Sequence, residues 1–228
     1  MTGAAALIVS VAFAHAQEPA KDFSPAERAL FMSDQFTQVQ APQTLRYKFV
    51  KSGSLEPGFE DQVSVTLKKS ADGSCCAANG EFLSGQRRVP LPAIDAGQGN
   101  PVTMYFLERD IREMERLTKG KQNYFRKRIR MAVYQGAALR EVSLPFQGKT
   151  VAGKQITIEP YLNDPNRPKF PTLANKVYVF TLSDAVPGGV YAIRTLIKDA
   201  AKAADAPPLM AEELLLDGAF TTAGKPGS

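Results

Sequence analysis

Three stretches of this 228-residue chain group side chains that could do chemistry, beginning with the adjacent cysteines Cys75 and Cys76 in DGSCCAANGEF. In LERDIREMER (107–116), Glu108, Asp110, Glu113 and Glu115 could supply a carboxylate pair for acid–base work or for a metal. Interleaved Arg109, Arg112 and Arg116 point instead to an ion-paired helix surface. The third stretch, NYFRKRIR (123–130), sets Arg126, Lys127, Arg128 and Arg130 among Tyr124, Phe125 and Ile129, a mixture that can grip a polyanion. Asn163, Asp164 and Asn166 carry oxygen ligands at suggestive spacing. They lack the later glutamate and the glycine of a calcium loop, so they read as a turn. Ser183-Asp184, ahead of Val186-Pro187-Gly188-Gly189, reads as the turn that ends a strand.

The single histidine, His15, limits what these groups can do. Ser-His-Asp and Cys-His arrangements need an imidazole to take the nucleophile's proton near neutral pH, and the common zinc sites need histidine or a set of cysteines. No G-x-S-x-G, P-loop or Rossmann signature occurs. The expectation is therefore no cofactor and no metal. The cysteines are neighbours, and neighbours in an extended chain point to opposite faces; bonding them to each other would take a distorted turn. One buried thiol and one near the surface is the plain expectation. A disulfide between chains, a vicinal redox disulfide and a soft-metal site are the alternatives.

Location changes the partners these groups can meet. Residues 1–16, MTGAAALIVSVAFAHA, hold an apolar run from Ala4 to Ala14 and then Ala14-His15-Ala16, the small-x-small pattern that a signal peptidase accepts. This predicts a cleaved signal peptide and an exported, periplasmic or secreted protein. No cysteine follows the small residues, so it is not expected to be a lipoprotein. No later stretch approaches the ~20 apolar residues of a spanning helix. All charged residues lie beyond residue 16, so the mature chain keeps the formal net charge of +5. Outside the cytosol the polyanions at hand are anionic membrane surfaces and acidic envelope proteins, and nucleic acid is not an expected partner.

The elements that must position these residues follow from periodicity. Ser24-Pro25-Ala26-Glu27 is a capping box that opens a short helix through about Val39, before Pro42. Leu45, Tyr47 and Phe49, then Val63, Val65 and Leu67, alternate as in half-buried strands. Asp72-Gly73 and Asn79-Gly80 are turn signals in an antiparallel meander over 44–84. Met104, Leu107, Ile111, Met114 and Thr118 share a helix face, and after Gly120 so do Phe125, Ile129, Ala132 and Val133. Strands resume with Val142, Leu144 and Phe146, then Ile156 and Ile158 after a turn at Ala152-Gly153. KVYVFTLS and VYAIRTLI follow, the first apolar on both faces as in a central strand. Runs of strands with helices between them predict an α+β fold: a curved antiparallel sheet, half-barrel-like, packed against an inserted helix pair. One domain over 17–198 is expected. Residues 199–228, with their Ala-rich stretch, Pro207-Pro208 break, EELLL and Gly/Ser tail, are expected to form a partly disordered extension.

Through GNPVTMYFLERDIREMERLTKG (99–120), NYFRKRIRMA (123–132) and FTLSDAVPGG (180–189), the chain resembles a family of uncharacterised exported proteobacterial proteins. That resemblance implies location and no particular activity. In element order, over 24–198, the chain also resembles the periplasmic lipoprotein-carrier half-barrels, in which a curved antiparallel sheet wraps helices and holds acyl chains. The second resemblance carries over no functional residue.

The leading expectation is a non-catalytic periplasmic binding or carrier protein for an apolar or amphipathic, lipid-like ligand, with Tyr47, Phe49, Tyr105 and Phe180 as candidate pocket lining, ordinary core being the plainer reading of each. A structural or protein-interaction module of an envelope complex is the alternative, and an enzyme using carboxylate or lysine chemistry is third. Arg126, Lys127 and Arg130 form the candidate patch for an anionic surface; otherwise they are a solvated helix face.

Overall fold

The computed structural model describes residues 23–32, 36, 39–71, 73, 75–95, 99–199, 201 and 206–219. The expected signal peptide lies outside these residues, as do 202–205 and 220–228 of the expected tail.

Alternation builds the strands. β1 (Gln43–Gly53), β2 (Phe59–Lys69) and β3 (Cys75–Phe82) form the first meander. β4 (Ala138–Phe146), β5 (Lys149–Ile158), β6 (Lys176–Leu182), β7 (Val190–Ile197) and β8 (Met210–Leu216) form the second. They make one eight-stranded antiparallel sheet in the order β3-β2-β1-β8-β7-β6-β5-β4, open between its edges β3 and β4. The chain between those edges must cross the sheet, and it does so as α2 (Pro101–Thr118) and α3 (Gln122–Gly136). The expected α+β fold, with an antiparallel sheet and an inserted helix pair, is the fold observed. Ser24 opens α1 (Pro25–Glu27) by the expected capping box, with Ser24 Oγ accepting from the Glu27 amide and Glu27 Oε2 from the Ser24 amide. A π-type turn, Arg28–Met32, continues it. The expected extension toward Val39 enters residues 33–35 and 37–38, outside those described.

Three expectations change. The boundary at residue 198 falls inside the fold, because EELLL belongs to β8, which pairs with β1 on one side and β7 on the other. Its alternation is MAEELLL, with Met210, Glu212, Leu214 and Leu216 buried, so a glutamate occupies what a purely apolar rule would make a core position. Ala152-Gly153 lies within β5, and the β4–β5 turn is Gln147–Gly148, both at positive φ (48° and 75°). Such a turn matches the right-handed twist of the strands it joins. Asn79-Gly80 likewise lies within β3. Glycine is there for a close approach: a Cβ at Gly80 would stand 2.5 Å from the Tyr105 ring of α2.

The helix-facing side of the sheet carries Leu45, Tyr47, Phe49, Val63, Val65, Ile193, Phe180 and Leu214, all buried. Asn100 fixes the start of α2 by accepting from the Val102 amide and donating Nδ2–H to the Gly188 carbonyl at 2.6 Å. A helix N-terminus is thereby tied to the β6–β7 turn.

Candidate binding cleft

α2 touches two partners, and its sequence divides accordingly. Toward the sheet it buries Val102, Tyr105, Phe106, Arg109, Asp110 and Met114. Arg109 and Asp110 were expected on an ion-paired surface, and both are buried. The reason lies in the sheet, where the strand registers align Lys51, Glu212, Thr195 and Tyr178 in one cross-strand row. Arg109 Nη1 donates to Glu212 Oε1 at 2.7 Å, and Thr195 Oγ1 donates to the other Glu212 oxygen at 3.3 Å. Lys176 donates to Asp110 Oδ1, with neither side chain exposed, and the Tyr178 hydroxyl donates to Asp110 Oδ2 at 2.7 Å. Lys51 Nζ reaches Glu113 at 3.1 Å and also Glu56, and Arg116 bonds both acids. Four cations (Lys51, Arg109, Arg116, Lys176) thus meet four carboxylates (Glu56, Asp110, Glu113, Glu212). Burying charge is costly without such pairing.

The electrostatics hold these charges fixed. Burial works against the charged form of Glu113, but hydrogen bonds from Arg116 and Lys51 and the charges of Arg109 and Lys51 outweigh it and bring the carboxyl down from 4.5 to about 2. Glu212 is opposed by burial in the same way and is lowered chiefly by Arg109 and Lys176. Burial first, and the Asp110 charge next, push the Tyr178 hydroxyl well up, so it stays a donor. Groups displaced this way carry constant charge near neutral pH. The arrangement fastens a helix to a sheet.

Tyr47, Phe49, Tyr105 and Phe180 are each at most 3% exposed. Tyr47 donates to the Val190 carbonyl and Tyr105 to the Pro92 carbonyl, while Phe49 lies between Phe59 and Phe82 with the Arg109 guanidinium 4.9 Å from its ring centre. These four side chains are engaged in core packing between sheet and helices.

The other side of α2 opens outward. Met104, Leu107 and Ile111 of α2, Ile129 of α3, and Phe23, Phe31 and Met32 of the N-terminal segment line an open cleft of about 560 Å³. Glu27, Glu108, Arg126 and Arg130 also line it. The N-terminal wall is held by the Ser24 hydroxyl, which donates to the Val133 carbonyl at 3.3 Å, and by the buried Ala26 and Leu30. Met104 had been expected to be buried with Ile111 and Met114; it is 39% exposed and Leu107 half-buried. Phe31 and Met32 carried no signal of their own. The readable clue was that α2 has apolar residues at Tyr105 and Phe106 as well as at Met104 and Leu107, more than one stripe needs.

NYFRKRIR divides by partner. α3 buries Phe125, Ile129 and Val133, as its periodicity predicts. Arg128 turns to the 159–175 loop, 3.0 Å from Asp164 Oδ2 and hydrogen-bonded to the Pro160 carbonyl. Asp164 also accepts from the Tyr124 hydroxyl and the Asn166 amide, which makes the expected turn at 163–166 the anchor for the start of α3. Arg126 pairs with Glu108 at 2.8 Å. Lys127 and Arg130 are exposed and have no ion pair among the described residues; Arg130 lines the cleft and Lys127 does not.

Cys75 and Cys76 are paired with each other at the start of β3, as in the vicinal disulfide that the sequence leaves open as an alternative to free thiols. Cys75 is exposed, while Cys76 is 7% exposed and belongs to the core. An extended strand does not bring neighbouring side chains together, and here the β2–β3 ladder shifts register at Lys68/Lys69, where Lys69 pairs with Cys75.

No protein-family model matches this chain. No curated protein matches it significantly. Among the described residues no helix is long and apolar enough to cross a membrane.

Proposed function

We propose that this is a non-catalytic binding protein of the cell envelope, exported as residues 1–16 indicate, that takes an apolar or amphipathic ligand in the cleft between its N-terminal segment and its helix pair. The observation that carries this reading is convergence. Of the seven large apolar side chains left exposed among the described residues, Phe23, Met32 and Met104 all line that cleft. Concentrated exposed apolar surface marks binding sites on soluble proteins, methionines adapt to irregular ligands, and the volume falls in the ~300–1,000 Å³ range of ligand sites. The aromatics expected to line a pocket are engaged in the core, so the ligand is assigned to the outer side of the helix pair. A second reading, an interaction module gripping an apolar element of a partner protein, is favoured by the openness of the cleft and by Met32, which is 51% exposed.

Native mass spectrometry of the protein recovered from the periplasm, with and without Met104→Arg, tests the assignment. The expected result is a co-purifying small molecule that the variant loses. If the protein carries none and a neutral apolar fluorophore also fails to bind, the ligand reading is wrong. A co-purifying protein displaced by Met104→Arg would replace it with the interaction module.

A further inference from the structure

We infer that the cleft selects an anionic single-chain amphiphile, a long-chain carboxylate, with its head group on Arg130 and its chain along Met104, Leu107 and Ile111; this rests on the cleft being the ligand site. The cations of α3 are unequal. Arg126 gives one guanidinium nitrogen to Glu108 at 2.8 Å and the other to Asn123 at 2.6 Å, and Arg128 is held by Asp164 and Pro160. Lys127 does not line the cleft. Arg130 does, one residue beyond the buried Ile129, and has no hydrogen-bond or ion-pair partner among the described residues.

The acids around the cleft are already engaged. Glu108 is shared by Arg126 at 2.8 Å and Arg112 at 3.5 Å, and Glu27 is drawn into the capping box by the Ser24 amide. An uncompensated guanidinium beside an apolar floor is complementary to one negative charge at the end of an apolar chain. Its planar fork matches a carboxylate with two parallel hydrogen bonds. The cleft, at about 560 Å³, falls within the range of sites for a small ligand.

The test uses displacement of the neutral fluorophore 1-aminoanthracene from the exported, processed protein by laurate, by its methyl ester and by dodecyltrimethylammonium. Laurate is expected to displace the probe about tenfold more effectively than the ester, the size of one charge-assisted hydrogen bond. The cationic amphiphile is expected to be weakest. Arg130→Gln should bring laurate down to the level of the ester, whereas Arg130→Lys should retain much of the preference. Equal displacement by laurate and ester, or a preference that survives Arg130→Gln, overturns the head-group assignment while the cleft stands. Probe binding that is absent, or indifferent to Met104→Arg, removes the cleft itself. Circular dichroism of each variant checks folding, which an exposed arginine is not expected to affect.

Discussion

Cys75 and Cys76 show how little a residue's type says until its neighbours are placed. Two adjacent cysteines in an extended strand should diverge, yet they are bonded to each other where the β2–β3 ladder shifts register. The rule for side-chain direction was sound and the strand was locally irregular, which no pattern of apolar residues could announce. Disulfides persist in oxidising compartments and are rare in the cytosol. Protein recovered from an oxidising compartment should therefore show no reactive thiol, native or in denaturant, and two after reduction, its mass rising by two hydrogens. A thiol titration that finds free cysteine in denatured, unreduced protein would contradict the vicinal bond. Arg130 teaches the converse: its cationic character was legible at once, but its distinction from Arg126 and Arg128 depends on Glu108 and Asp164, which lie far from it in the chain.

At the scale of elements, α3 was legible and α2 only half so, for a physical reason. α3 buries one stripe, and Phe125, Ile129 and Val133 announce it. α2 has the sheet on one side and the cleft on the other, and its sheet-facing side includes Arg109 and Asp110. A wheel drawn from hydrophobicity puts such residues in water. They are buried because Glu212 and Lys176, on strands distant in sequence, supply opposite charge at the right register. The aromatics Tyr47, Phe49, Tyr105 and Phe180 were recognisable as interior, and ordinary core, the plainer reading of each, is where they stand. Breaking the buried pair should be expensive, because the abandoned charge has no water to turn to. Asp110→Leu or Lys176→Met alone is expected to lower stability by about 3–5 kcal/mol. The double replacement Asp110→Leu with Lys176→Met should recover much of that loss, since the pair's desolvation cost goes with it. Urea unfolding of the three variants measures the coupling; strictly additive losses would mean that the two charges do not depend on each other.

For the whole molecule, the first and last strands of the sheet's two halves are partners: β1 pairs with β8, and the helix pair bridges the outer edges. Strand order at that seam was not readable, because MAEELLL hides its alternation behind Glu212 and follows a break at Pro207-Pro208. Lys51 of β1, Glu212 of β8 and Glu113 of α2 meet near this seam, so the charge network holds the two halves and the helix layer together. Its pH dependence follows from the carboxylates. Glu113 titrates at about 2 in the folded protein, against an ordinary 4.5, and Glu212 and Glu56 are shifted in the same direction. A carboxylate whose folded value is depressed adds stability that is complete above its unfolded value and disappears as pH falls through its folded value. Stability should therefore be level above about pH 5 and fall between pH 4.5 and about 2, as the unfolded chain takes up protons before the folded one does. Glu113→Gln should lower stability at pH 7 and flatten this acid limb, its curve meeting that of the unaltered protein near pH 2. Denaturant midpoints measured from pH 7 to pH 2.5 decide it. If the two curves run parallel throughout, the charge on Glu113 does not hold the seam.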